Sequence, residues 1–385
     1  MSRYLDAAAT APLHPAAREA MNRVWDAGPG NAASVHSAGH RADRELDHAR
    51  TTVARAFGVP TDGVIFTAGG TEANNLGIIG RALANPRGRR VVTTKAEHSS
   101  VLASVDYLRR IHGFTVDYLP VDASGRVLDS AAREYLTADT TLVAVGLANS
   151  EVGSVSSVEN LSTTALELGI SLHIDAVQAA AGLPVSFADG GWPGTGITSA
   201  AVASHKFGGP QGMGALLLPR DVALEPVIHG GEQENGRRAG TSNIAGAAGF
   251  AAAVAATRAS IGTRAVELMA SRDALIEAVL AGVPGAALTG HRTERLPNHA
   301  SFVFEGVSGE SLLVALDTAE FAVSSGSACR AGQSEPSPVL LAMGYSPELA
   351  QSALRFTLPS PLKEAEIEQI VRILRTEILS VRPNG

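Results

Sequence analysis

Between residues 60 and 220 short apolar runs alternate with longer amphipathic stretches. The runs are GVIFTA (63–68), RVVTT (90–94), GFTVDYLP (113–120), TLVAVGLA (141–148), SLHIDA (171–176), ITSAAVAS (197–204) and GALLLP (214–219). A helix is expected to open at GGTEANN (69–75), and another to run from Ser99 to about Ile111. Continuous apolar strands separated by amphipathic helices predict a mostly parallel sheet covered on both faces. Beyond residue 255 the order changes to a long helix (about 255–281), a strand ASFVFEG (300–306), a helix GESLLVALDT (309–318) and a strand FAVSSG (321–326). A last helix is expected to start at Ser360–Pro361, a cap followed by a first-turn proline. Its Ile367, Ile370, Val371, Leu374 and Ile378 fall on one face. The reading is an α/β protein. A large domain covers 13–254, and a smaller α+β domain is formed by 1–12 and 255–385.

The bulk composition is that of an ordinary globular chain of 385 residues, 45% hydrophobic and 18% charged. A net charge of −7 argues against a broad electrostatic hold on nucleic acid or an anionic membrane. The basic run NPRGRR (85–90) reads as a solvated turn before a strand. The amino terminus carries Asp6 and two prolines where a signal peptide needs an unbroken apolar stretch. The longest apolar run, IAGAAGFAAAVAA (244–256), is too short to span a bilayer and reads as a buried helix. One cysteine leaves no intrachain disulfide and no multi-cysteine metal site, as in a reducing compartment. The expectation is a cytoplasmic protein.

That cysteine, Cys329, lies in SSGSACRAGQSEPSP (324–338), among residues that make loops rather than cores. It is either an incidental surface thiol or a nucleophile on a moving arm, and the second reading needs partner chemistry elsewhere. Reactive groups in open α/β sheets gather at the carboxyl ends of strands. Asp175 ends SLHIDA with Gln178 close behind; Ser204, His205 and Lys206 follow ITSAAVA; His98 follows RVVTT; Asn149 follows TLVAVGLA. Gly69, Gly70 and Thr71 open a helix whose free N–H groups suit a phosphate. Each has a plain alternative: a solvated lysine, a turn-capping aspartate, a loop histidine. Together they meet the needs of pyridoxal phosphate, namely a lysine for the Schiff base, a carboxylate for the ring nitrogen and a phosphate cradle. Thr71, Ser204, His205 and the GRRAGT loop ending at Thr241 are the candidate phosphate ligands. A nicotinamide site would need a G-x-G-x-x-G turn in a βαβ unit, and GGPQGMG (208–214) fits neither its spacing nor its position.

The motifs YLDAAATAP, NAASVHSAG, FTAGGTEANN, EHSSVL, NSEVG, HIDAVQ, SHKFGGPQGMG, GGEQENGRRAGT, SSGSAC and LRFTL stand in one order almost end to end. In this the chain resembles the class V aminotransferase family, and within it the cysteine desulfurases of the NifS/IscS group. The resemblance implies a pyridoxal-phosphate fold of type I and a homodimer. It also implies an L-cysteine substrate and a sulfur passed to an acceptor protein. Lys206 matches the Schiff-base lysine, Asp175 the ring-nitrogen partner, His98 the stacking residue and proton shuttle, and Gln178 the phenolate contact. Gly70, Thr71 and His205 match phosphate contacts, with Thr241 supplied by the neighbouring subunit. Asn149 and Arg355 match the groups that hold the substrate carboxylate, and Cys329 the thiol that receives sulfur as a persulfide. Two departures stand out. Ala203 occupies the usual serine position three residues before the lysine, with Ser204 as a possible substitute ligand, and RFTLPSP replaces the usual glycine-containing exit. Selenocysteine lyase, cysteine sulfinate desulfinase, an aminotransferase and a cofactor-binding scaffold without turnover are the alternatives on this fold.

Overall fold

The structure is a computed structural model that describes residues 3–325 and 335–381, the side chain of Val381 excepted. Cys329 and its neighbours 326–334 therefore lie outside the described residues.

The alternating runs form a seven-stranded sheet in the order Val64–Thr67, Gly214–Leu217, Ser199–Ala203, Ser171–Asp175, Thr140–Gly146, Arg90–Thr94, Thr115–Leu119. Gly214–Leu217 is antiparallel to both its neighbours, and every other pairing in this sheet is parallel. The central strands are buried along nearly their whole length, which explains why they read as continuous apolar runs rather than alternating ones. From Arg90–Thr94 the chain steps outward to Thr115–Leu119, then reverses and continues on the other side through Thr140–Gly146, Ser171–Asp175 and Ser199–Ala203. Such a reversal leaves a crevice at the carboxyl ends of the strands.

The carboxy-terminal part forms a four-stranded antiparallel sheet in the order Ser324–Ser325, Leu354–Thr357, His299–Phe304, Ala286–Leu288. FAVSSG is thus split, because Phe321–Ala322 pairs instead with Arg3–Tyr4 at the amino terminus. Leu5 joins the apolar cluster built by Phe302, Phe304, Phe356 and the last helix.

Two helices differ from the sequence expectation. The apolar run at 244 and the helix expected from about 255 are one helix, Ile244–Gly282, of 39 residues. Its first half packs in the core of the large sheet, and Leu268 to Val279 pack in the cluster of the small one. The expected boundary at 254/255 therefore falls inside a continuous helix. Its length and apolar stretch would also suit a membrane span, but 61% of that stretch is buried inside the protein. The last helix starts at Glu364, not at Ser360–Pro361. The Glu366 carboxylate accepts from the Lys363 N–H at 2.7 Å, which caps the helix there.

Candidate active site

One cavity of about 840 Å³ opens at the carboxyl ends of the large sheet, and it collects most of the sequence candidates. Lys206, Asp175, His98, Gln178, Gly70, Thr71, His205, Asn149 and Arg355 all line it. Lys206 sits in a single 3₁₀ turn, Ser204–Phe207, directly after its strand. Its Nζ donates to the carbonyls of Ala8 and Ala9 at 2.6 and 3.0 Å. Gln178 Nε2 donates to the same Ala8 carbonyl at 3.1 Å, so the amino-terminal YLDAAATAP segment forms one wall.

Asp175 Oδ1 accepts from the Val177 N–H at 3.0 Å, and its Oδ2 accepts from Asn74 Nδ2 at 2.8 Å. His98 caps the helix Ser99–His112, its Nδ1 lying 3.1 Å from the Ser100 N–H and 2.7 Å from Ser100 Oγ. Asn149 Nδ2 donates to the Ala96 carbonyl at 3.0 Å, while its Oδ1 accepts from the N–H groups of Glu151 and Val152. Its side chain thus ties the turn at 149–152 to the Ala96 carbonyl.

Arg355 comes from the small sheet and is 2% exposed. It donates to Asp6 Oδ1 at 2.7 Å and to the Ser150 carbonyl at 2.9 Å. Its Nε is buried without a hydrogen-bond partner among the described residues. A buried guanidinium whose Nε–H has no such partner is a ready carboxylate receptor.

Two candidates are not at the cavity. Ser204 is fully buried, its Oγ has no partner among the described residues, and a Cβ on Gly209 would collide with it. The cavity-facing position is Ala203, so Ser204 does not supply the hydroxyl that Ala203 lacks. Thr241 is exposed and lies outside this chain's cavity.

The residues present fit a phosphorylated pyridine aldehyde. Any side chain at Gly70 would strike Val177, so backbone alone occupies the start of the helix Gly70–Asn75. The first N–H groups of a helix have no partner within it. His205 lines the same cavity, with a buried Nδ1 that has no partner among the described residues. Burial, aided by the Lys206 charge, lowers the His205 pKa to about 4, so the ring is neutral and available as a donor.

Glu97 and Glu151 also line the cavity and were not picked out from the sequence. Burial raises Glu97 to about 8 despite hydrogen bonds from Thr94 and the Gly146 N–H, with the Asp175 charge adding to the rise. Burial raises Glu151 to about 7, opposed by Ser337, whose hydroxyl donates to it, and by Arg355. Glu97 immediately precedes His98 in KAEHSS, which was the signal available. The flanks of the undescribed segment 326–334 both meet the site. Ser324 pairs with Arg355 across the sheet, and Pro338 lines the cavity.

The pattern of the family Aminotransferase class-V matches residues 3–370. An IscS-like cysteine desulfurase of Mycobacterium tuberculosis is 42% identical over 98% of this chain and 97% of its own. A cysteine desulfurase IscS of Dictyoglomus turgidum is 37% identical over 98% of this chain and 95% of its own. A solved NifS-like protein superposes with a TM-score of 0.89 at 31% identity, covering 99% of this chain and all of its own.

Proposed function

The chain belongs to the aminotransferase class-V family and to its cysteine desulfurases of the IscS/NifS group, and from that premise we infer how its own residues carry the reaction. The enzyme removes sulfur from L-cysteine to give L-alanine. We read Cys329 as the acceptor: the substrate's C–S bond breaks, an S–S bond forms, and the thiol becomes a persulfide while the substrate's β-carbon gains a proton.

Pyridoxal phosphate, when bound, supplies an electron sink that eases loss of the substrate α-proton and release of its sulfur. Lys206 provides the amine that anchors it, and the Ala8 and Ala9 carbonyls hold that amine in place. Asp175 is the carboxylate for the ring nitrogen, Gln178 the group for the phenolate oxygen, and Gly70, Thr71 and His205 the cradle for the phosphate. Arg355 takes the substrate carboxylate together with Asn149, whose neighbour Ser150 holds the guanidinium through its carbonyl. His98 moves protons at the substrate, as an imidazole that lines the cavity just beyond the carboxyl end of its strand. The observation that carries this reading is the convergence of Lys206, Asp175, His98 and Arg355 on one cavity. Both flanks of the Cys329 segment lie against the same place.

The finer reading is a cytoplasmic homodimer in which Thr241, exposed here, completes the phosphate site of the other copy. Its sulfur goes to an acceptor protein, with no direct role for nucleic acid or membrane. The test is to incubate the purified protein with pyridoxal phosphate and L-cysteine. The parent should form alanine and a protein persulfide. Cys329→Ala should keep the visible absorbance of the bound cofactor but release no sulfide, and Lys206→Ala should lose that absorbance. Alanine formation by Cys329→Ala at the parent rate would overturn the role of the thiol.

A further inference from the structure

Behind Asp175 and His98 lies a set of buried polar side chains that no step above uses. Asn74, 1% exposed, donates from Nδ2 to Asp175 Oδ2 and to Ser100 Oγ, both at 2.8 Å. Ser100 Oγ in turn lies 2.7 Å from His98 Nδ1. On its other side Asn74 Oδ1 is 3.0 Å from His173 Nε2, and His173 Nδ1 is 2.9 Å from Ser199 Oγ. His173 and Ser199 are wholly buried.

Donor and acceptor counting leaves one arrangement of protons. A carboxylate only accepts, so the Asn74 amide must turn its NH₂ toward Asp175 and its carbonyl toward His173. His173 must then donate from Nε2. Burial holds its ring neutral, lowering its pKa to about 3, so Nδ1 accepts from the Ser199 hydroxyl. Ser100 Oγ accepts from Asn74 and directs its own proton at His98 Nδ1, which also accepts the Ser100 N–H. A neutral His98 therefore carries its proton on Nε2. The local backbone makes room for this array. The helix widens into a π turn at Leu76–Gly80, and a Cβ on Gly77 would collide with the His173 ring.

We propose that Asn74 is a positioning residue that ties the carboxylate of Asp175 to the imidazole of His98 through Ser100, and that the His173–Ser199 pair locks its amide in the orientation this requires. The proposal rests on the reading of Asp175 and His98 as the groups that meet the cofactor ring. A buried network with every member satisfied fixes geometry better than isolated contacts do. Asn74 accordingly supports the hold on the ring nitrogen and, through the Ser100 hydroxyl, the orientation of the catalytic imidazole, whose Nδ1 the Ser100 N–H also keeps as an acceptor.

The test uses the holoenzyme and three variants, Asn74→Leu, Ser100→Ala and the double variant, with Asn74→Ser as a milder substitute should Asn74→Leu fold poorly. Five quantities are measured: pyridoxal-phosphate dissociation, the pH midpoint of the visible band, kcat, KM and the melting temperature. Asn74→Leu should weaken cofactor retention about tenfold, the size of one lost hydrogen bond to a charged group, and shift the band's midpoint. Ser100→Ala cuts only the arm to His98, so it should leave retention within about twofold and lower kcat about tenfold with KM nearly unchanged. The double variant should lose no more kcat than Asn74→Leu alone, because both act along one path. A lower melting temperature with retention and midpoint unchanged, in Asn74→Leu or Asn74→Ser, would make Asn74 merely structural and sink the proposal. So would kcat losses that multiply in the double variant. If the parent itself takes up no pyridoxal phosphate, the reading of the site fails and the proposal falls with it. If the parent takes it up and the Asn74 variants retain it equally, the proposal alone fails.

Discussion

The large sheet delivers its chemistry from strand ends, whereas the small sheet delivers Arg355 from within a strand. Asp175 is the last residue of Ser171–Asp175, and Lys206 and His98 follow their strands by three and four residues. There the chain has left the ladder, and local turns aim each side chain: the 3₁₀ turn for Lys206, the helix cap for His98. Arg355 is the second residue of Leu354–Thr357, paired with Ser301 on one side and Ser324 on the other. Its direction is set by register, and its charge is buried, so it needs partners from far along the chain. Asp6 supplies one, 349 residues away. Strand-end groups can be re-aimed by a turn; a mid-strand charge depends on the whole assembly around it.

The sharpest way to break that contrast is Arg355→Leu. It removes the proposed carboxylate receptor and leaves Asp6 without its cation. The expected result is a 10- to 100-fold rise in KM for L-cysteine, roughly one charged hydrogen-bonding interaction, together with a loss of roughly 3 kcal/mol in stability. Steady-state kinetics and denaturant unfolding measure the two effects. A change under about twofold in KM would mean the substrate carboxylate is held elsewhere.

On the side of the large sheet, Glu97→Gln probes a buried acid next to the strand-end groups. In the folded protein Glu97 holds its proton up to about 8, against an ordinary value of 4.5. Between those values unfolding releases a proton, so stability falls as pH rises through the window. The stabilising contribution is complete below the ordinary value and lost on passing the folded one. The glutamine variant lacks this titration. Relative to it, the parent should weaken between those two values by a few kcal/mol at most, read from melting temperatures across that range. Parallel pH profiles for the two proteins would show that the acid is ionised when folded.

The smallest effect is expected at Ser337, just after the Cys329 segment. Its hydroxyl accepts from the Leu340 N–H at 3.1 Å, capping the helix Pro338–Ala342, and donates to Glu151. Ser337→Ala should cost about 1 kcal/mol, seen as a shift in denaturant midpoint. No change would mean that the helix Pro338–Ala342 is not anchored through this residue.

Much of this architecture was legible in the chain. Buried parallel strands write themselves as unbroken apolar runs, and the polar residues that end them mark the crevice. Glycine and threonine at 69–71 marked the helix start. Other features had no local signal. Ser204 looked able to replace the hydroxyl missing at Ala203, yet the strand ends at Ala203, and the turn that opens at Ser204 points its side chain at Gly209. The last helix begins at Glu364 because Glu366 reaches back to cap it, a contact that outweighed the proline at 361. The Asn74 array draws Asn74, Ser100, His173 and Ser199 from four separate segments.

The alternation of strand and helix, the types of reactive group and the end of the sheet at which they gather could all be read from the chain alone, because periodicity and strand termini are local properties. Only the tertiary structure decided which of two adjacent serine and alanine positions faces the cavity, which carboxyls lose access to water and keep their protons, and which buried amide joins Asp175 to His98. Those outcomes depend on register, burial and hydrogen-bond partners from distant segments, which no short stretch of residues encodes.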